Sequence, residues 1–203
     1  PKLVFLCHPN NPTGTLLSQE VIYQLCDSVD GFVIVDEAYI EFSEAPSLIY
    51  DLSRFKNLIV LRTLSKAWGL AGIRCGVVIA ADPLVINTLR YIQVPFGFST
   101  PSQEIFAKRC ALPEEMVNSW EQVRKEREKL SKKLQALNII QKVIPTHTNF
   151  LLVEFNSFSK VMDILSQHKI HVVDCSNVIP NSVRISIGNL QENQKLLDVL
   201  QSI

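Results

Sequence analysis

Thr63-Leu64-Ser65-Lys66-Ala67-Trp68-Gly69-Leu70-Ala71-Gly72-Ile73-Arg74-Cys75-Gly76 is the stretch on which the reading of the chain turns. One lysine lies among small and hydroxyl residues, with one arginine eight positions on. Apolar runs of strand length flank the stretch, Leu58 to Leu61 before it and Gly76 to Ala80 after it. Charge is scarce within it, and its glycines allow close backbone approach. A lysine so placed is either a surface charge at a strand end or a poorly solvated amine that loses its proton readily and attacks carbonyls. The residues upstream decide between the two.

Lys2 to Cys7 is an almost unbroken apolar run, which predicts a strand buried on both faces. His8-Pro9-Asn10-Asn11-Pro12-Thr13-Gly14-Thr15 is a loop by its prolines, asparagines and glycine. Ser18 caps the helix that follows, with Glu20 in its first turn. Val21, Ile22, Leu25 and Val29 keep the spacing of one apolar face, and Gly31 is expected to end the helix. Phe32 to Val35 is a second buried strand, delivering Asp36-Glu37-Ala38-Tyr39 at its carboxyl end. A short helix over Ser47 to Leu52, a third strand over Leu58 to Leu61, a fourth over Val77 to Ala80 and a helix over 82–92 complete this part. Strands alternating with helices through short loops predict an α/β sheet with its functional loops at strand ends.

Val94 to Pro101 breaks the pattern and marks a change of domain. Helices are expected over Ser102 to Ala111 and Glu114 to Leu137. The charges from Glu121 to Lys129 are read as a solvated helix face stitched by pairs four residues apart. Strands over Ile139 to Ile144, Phe150 to Phe155, Ile170 to Val173 and Val183 to Ile187, with helices over 158–169 and 190–201, make a small α+β layer. The expected organisation is a larger sheet domain in residues 1–95, a connecting segment and long helix in 96–137, and a small domain in 138–203.

Of 203 residues 47% are apolar and 20% charged, and 20 basic side chains balance 20 acidic ones. That balance gives no electrostatic reason to expect nucleic acid or an anionic membrane as partner. No apolar stretch is long enough to span a bilayer, and no signal-peptide pattern opens the chain. The five cysteines are widely spaced and lie mostly in apolar runs, which predicts reduced, buried thiols in a cytoplasmic protein. The four histidines show no metal-ligand spacing and are read as structural or solvent-facing. The chain begins with proline and enters a strand at once, which fits a piece of a longer protein lacking its N-terminal part.

Three strand ends offer polar groups that an apolar sheet does not need: Asn11, the pair Asp36 and Tyr39, and the set Thr63, Ser65, Lys66 and Arg74. Singly, each has an ordinary explanation as a turn residue, a helix cap, a packed ring or a surface charge. In this order they resemble the signature of pyridoxal-phosphate aminotransferases of the aspartate-aminotransferase-like fold. The resemblance runs over the whole chain and includes Ser99-Thr100-Pro101 and Val183-Arg184-Ile185-Ser186-Ile187-Gly188. Asp36 to Phe42 and Leu61 to Gly76 are most similar to the histidinol-phosphate aminotransferase branch.

The resemblance implies a role for each residue. Lys66 bonds the cofactor's aldehyde and, once freed by substrate, moves the proton as general base and then acid. Asp36 pairs with the pyridine nitrogen, Tyr39 and Asn11 hold the ring oxygen, and Arg74 with Thr63 and Ser65 binds the cofactor phosphate. Arg184 grips the substrate α-carboxylate bidentately, which lysine does less well. The reaction implied is transfer of the amino group of L-histidinol phosphate to 2-oxoglutarate in histidine biosynthesis, by a cytoplasmic homodimer. Many members of the branch carry a phosphate-gripping arginine where this chain has Val173, with His171 nearby. That difference favours an aromatic amino acid aminotransferase as the nearest alternative, and threonine-phosphate decarboxylases share the scaffold. A reading of another class is an effector-sensing domain of a transcriptional regulator.

Overall fold

The computed structural model describes residues 1–203. The chain forms two units, Pro1–Asn10 with Leu16–Trp120, and Asn11–Thr15 with Glu121–Ile203. In the first unit β1 (Leu3–Cys7), β2 (Phe32–Asp36), β3 (Leu58–Thr63) and β4 (Gly76–Ala80) form one sheet in that order. The first three strands are parallel and β4 runs antiparallel to β3. Helix α1 (Gln19–Ser28) makes the crossover that parallel neighbours require. It starts as expected on Ser18, whose hydroxyl accepts the Val21 amide. It stops at Ser28 with Val29 as its C-cap, three residues before the expected terminator. Gly31 has a different duty: a Cβ there would collide with the backbone of Lys2. Asn57 fixes this turn by donating its amide to the carbonyls of Cys26, Val29 and Gly31.

The core of this unit gathers Ile22 and Cys26 from α1, Val33 and Val35 from β2, and Leu58 and Val60 from β3. Leu48, Leu52 and Phe55 close it from the connection, where the expected short helix is the 3-10 turn Leu48–Asp51. β1 is not buried on both faces. It is an edge strand, with Leu3 52% and Phe5 68% exposed. An apolar run reads the same whether or not something covers it, so sequence could not separate edge from centre. β4 is the other edge, with Val77 and Val78 exposed. Helices α2 (Pro83–Ile92), capped by Asp82, and α3 (Thr100–Cys110), capped by Ser99, follow. α4 (Pro113–Gln135) runs on through the Trp120–Glu121 division between the units.

The second unit contains an antiparallel sheet in the order β5 (Ile140–Ile144), β6 (Phe150–Phe155), β8 (Ser182–Ser186), β7 (Val173–Asp174). Leu130 and Leu134 of α4, Val161 and Leu165 of α5 (Phe158–Gln167), and Leu196 and Leu200 of α6 (Leu190–Gln201) share its core. Asn189 and Glu192 form a capping box on α6. The strand expected over Ile170 to Val173 shrinks to the two residues of β7. Lys169 turns out of α5 with a φ of 56°, and Ile170 and Val172 pack on the core without joining the ladder.

Gly14 lies in this unit, buried and with a φ of 74°. An added Cβ would strike the Thr146 side chain, and the Gly14 carbonyl takes the His147 amide at 2.8 Å. Gly14→Ala is expected to cost about 2 kcal/mol, through strained backbone and the displaced threonine. Urea unfolding of the complete protein checks this as a midpoint lower by about 1 M.

The thiols divide. Cys26 and Cys175 are buried, Cys75 is intermediate, and Cys7 and Cys110 are exposed, against the expectation of burial. Cys7 ends an edge strand and Cys110 ends a helix that buries none of its residues. Burial, with a smaller contribution from Asp27, pushes the Cys26 thiol above its ordinary pKa and leaves it inert. No helix is long and apolar enough to cross a membrane.

Candidate active site

β2 and β3 end side by side, with Asp36 opposite Leu61. The Asp36 backbone is tied to the loop after β1 by the His8 amide, which donates to its carbonyl at 2.9 Å. One carboxylate oxygen of Asp36 accepts the Ala38 amide at 2.9 Å, an Asx turn that bends the chain off the strand. That bend brings Tyr39 into the fold, 8% exposed, at the start of the 3-10 turn Ile40–Phe42.

β3 leads into the loop that carries Lys66. The Thr63 hydroxyl accepts the Ser65 amide at 3.1 Å, and the Leu64 amide reaches the Cys75 carbonyl at 3.2 Å. Arg74 closes the loop in the left-handed region, φ 53° and ψ 44°, which few residues other than glycine adopt. Its guanidinium donates to the Ala71 carbonyl at 3.0 Å. Lys66 is exposed, and its Nζ stands 5.6 Å from the centre of the Tyr39 ring.

Asp36, Arg62, Thr63, Ser65, Lys66 and Arg74 line one cavity of about 530 Å³. That size suits a small molecule. The cavity combines a carboxylate, two hydroxyls, an amine and two guanidinium groups. A phosphorylated heteroaromatic aldehyde fits such a donor set. Arg74 with the hydroxyls suits the phosphate, Asp36 a protonated ring nitrogen, and Lys66 the aldehyde.

Asn11 and Arg184 meet in the second unit. Arg184 projects from β8 and donates to the Asn11 side-chain oxygen at 2.5 Å, with its guanidinium 5.1 Å from the centre of the Phe150 ring. Thus six of the expected site residues, Asp36, Tyr39, Thr63, Ser65, Lys66 and Arg74, come together in the first unit. Asn11 and Arg184 come together in the second.

Sequence reasoning passed over the ion network beside the cavity. Arg62 donates to Glu37 at 2.9 Å, to Glu41 at 2.8 Å and to the Ser47 hydroxyl at 3.1 Å. The Glu37 side chain is wholly buried and also takes the Leu48 amide at 2.7 Å. The available signal was a lone charge at the end of an apolar strand, which has to be paired if it is buried.

A model of aminotransferase class I and II matches residues 1–200. The chain is 38% identical over 205 residues to histidinol-phosphate aminotransferase 1 of Legionella pneumophila, covering 99% of this chain and 56% of that protein. It is 40% identical over 207 residues to histidinol-phosphate aminotransferase of Caldanaerobacter subterraneus, covering 100% of this chain and 57% of that protein. Its structure is similar to that of histidinol-phosphate aminotransferase from Clostridium acetobutylicum, with a TM-score of 0.91 at 26% identity. That match covers 99% of this chain and 63% of the other. The chain therefore spans a little over half the length of the curated relatives it matches.

Proposed function

This chain belongs to the class I and II aminotransferase family, and on that premise we propose that the complete protein is a pyridoxal-phosphate-dependent aminotransferase. Its donor on this reading is L-histidinol phosphate and its acceptor 2-oxoglutarate, a step of histidine biosynthesis. The names of the relatives support the donor. The observation that carries the activity is the cavity in which Asp36, Thr63, Ser65, Lys66 and Arg74 converge. On the same reading residues 1–95 are part of a large domain, 96–137 connect, and 138–203 form a small domain. The complete protein works as a cytoplasmic homodimer.

Pyridoxal phosphate, when bound, supplies an electron-accepting ring that stabilises negative charge at the substrate Cα. Lys66 Nζ would hold the cofactor by its aldehyde carbon and, once the donor's amine has displaced it there, would be free to take the proton from the donor's Cα and return it one position away. Its place 5.6 Å above the Tyr39 ring leaves the amine directed by an aromatic face. Asp36 keeps the ring nitrogen protonated, because a carboxylate there favours the charged form. Tyr39 would donate to the ring oxygen, and the resemblance gives Asn11 the same part. Arg74, Thr63 and Ser65 hold the cofactor phosphate by charge-assisted bonds. Arg184 would take the α-carboxylate of the acceptor 2-oxoglutarate through its planar fork, already oriented by Asn11; L-histidinol phosphate carries no carboxylate.

The test is amino transfer to 2-oxoglutarate by the complete protein, with L-histidinol phosphate and L-phenylalanine compared as donors. Faster transfer from histidinol phosphate is expected. Preference for phenylalanine would replace this reading with the aromatic one, which a specific observation favours. Val173 is 45% exposed and sits directly opposite Arg184 across the β7–β8 pair, so their side chains share a face. Val173→Arg would set a second guanidinium beside the first. It is expected to lower KM for histidinol phosphate about tenfold and leave KM for phenylalanine unchanged, since a bidentate phosphate contact adds about 1.5–3 kcal/mol. Steady-state kinetics with both donors checks it.

A further inference from the structure

Two side chains outside the cavity hold the backbone that bears Lys66. The indole N–H of Trp120, in α4, donates to the Ala67 carbonyl at 2.7 Å. The Nε–H of Arg109, in α3, donates to the Trp68 carbonyl at 3.3 Å. These carbonyls belong to the two residues directly after Lys66. The rings of Trp68 and Trp120 meet edge to face, with centroids 5.7 Å apart and planes at 71°. Ala67 is buried. Within the loop the Gly69 amide returns to the Lys66 carbonyl at 3.0 Å, and the Leu70 amide to the Leu64 carbonyl at 2.9 Å.

A lysine amine ends a flexible four-carbon stem, and misplacement by about 1 Å is enough to lose a catalytic geometry. Within this chain no packing around the side chain supplies that precision, because Lys66 is exposed. The constraint has to come from the backbone. The peptides after Lys66 lie outside helix and sheet, so their carbonyls need donors from elsewhere. Trp120 and Arg109 supply two of them, from different helices and on consecutive peptides. Neither lines the cavity, so neither touches what binds there.

We infer that Trp120 and Arg109 are positioning residues for Lys66, fixing its loop through the Ala67 and Trp68 carbonyls. The inference rests on the reading of Lys66 as the residue that bonds the cofactor.

The experiment uses Trp120→Phe and Arg109→Met in the complete protein. The first keeps an aromatic edge on Trp68 and deletes the N–H donor. The second keeps an apolar stem and deletes the guanidinium. Without cofactor, amide hydrogen exchange in peptides spanning residues 64–72 is expected to rise about fivefold in each variant, as the loss of one hydrogen bond predicts. Exchange in β2 and β3 stays at the parent rate. With pyridoxal phosphate added, the pH at which the visible band of the lysine-bound cofactor titrates is expected to move. A residue that only stabilised the fold would lower the urea midpoint and speed exchange everywhere, leaving that pH titration in place.

Unchanged exchange over 64–72 in both variants overturns the inference, as does an unchanged pH titration in both. If Trp120→Phe does not fold, Arg109→Met carries the same two measurements. A parent protein in which borohydride traps no cofactor on Lys66 overturns the reading of Lys66 and this inference together. The exchange arm contains no cofactor, so a failure of the clamp alone is seen separately from that result.

Discussion

Lys66→Ala in the complete protein is expected to abolish amino transfer, with a rate loss of about 10³-fold or more. One amine is asked to hold the cofactor and to move the proton at the substrate Cα, and general acid–base work alone is worth about 10²–10⁴-fold. Nothing else lining the cavity can take its place. Arg62 and Arg74 are guanidinium groups, which stay protonated and cannot serve as bases. Asp36 already spends one carboxylate oxygen on the Ala38 amide. Thr63 and Ser65 are hydroxyls, which are too weakly basic to take the Cα proton. The variant should still bind pyridoxal phosphate, because Arg74 and the hydroxyls are intact. Its visible spectrum should be that of free aldehyde, and borohydride should leave no cofactor on the chain. Lys66→Arg is expected to be as inactive as the alanine variant, which separates loss of the amine from loss of charge. Retained turnover in Lys66→Ala would sink the proposed function. An unbound cofactor would instead show that Lys66 contributes to affinity beyond the phosphate site.

How much of this was legible in the sequence depends on how far each residue's partners lie along the chain. Asp36, Tyr39 and the Thr63-to-Arg74 set stood out as candidates because a strand ends and polar residues appear where an apolar sheet has no use for them, and their roles came from the resemblance to a family. The helices of the second unit were legible for the same reason, each with its cap or apolar face in one window. Partners distant in sequence were not. Trp120 reaches Ala67 across 53 positions, and nothing in the charge-rich run that follows it marks one indole as a donor. Arg62 and Glu37 are 25 positions apart. The exposure of β1 and β4 was equally hidden, because what covers a strand is a property of the fold. The pairing of Asn11 with Arg184 joins residues 173 positions apart, and no local rule brings them together.

The second large effect concerns stability. Arg62→Ala is expected to destabilise the complete protein by about 3 kcal/mol. Arg62 is a single cation serving two carboxylates, Glu37 with no exposed side-chain surface and Glu41 with 6%. Glu41 also has one buried oxygen, Oε2, with no donor. Removing the arginine leaves two anions facing each other in a site that water barely reaches, and breaking a buried pair from one side costs about 3–5 kcal/mol. Arg62 itself is 22% exposed, so water screens part of the charge and the lower end of that range applies. Glu37 keeps the Leu48 amide and the Ser47 hydroxyl, which soften the loss and do not neutralise it. Urea unfolding should show a midpoint lower by about 1.5 M, with a slope near 2 kcal/mol/M. The compensating change is more telling than the loss. Arg62→Met combined with Glu37→Gln and Glu41→Gln removes all three charges at similar volume, and replacing a buried ion group as a whole is often neutral. The triple variant is expected to regain most of the lost stability. If it is no more stable than Arg62→Ala, unpaired charge is not what the arginine prevents, and its value lies in packing at the joined ends of β2 and β3. Those ends carry Asp36 and Thr63, so the triple variant, stable but without its ion network, also shows whether cofactor affinity depends on the charges or only on the strand ends they tie together.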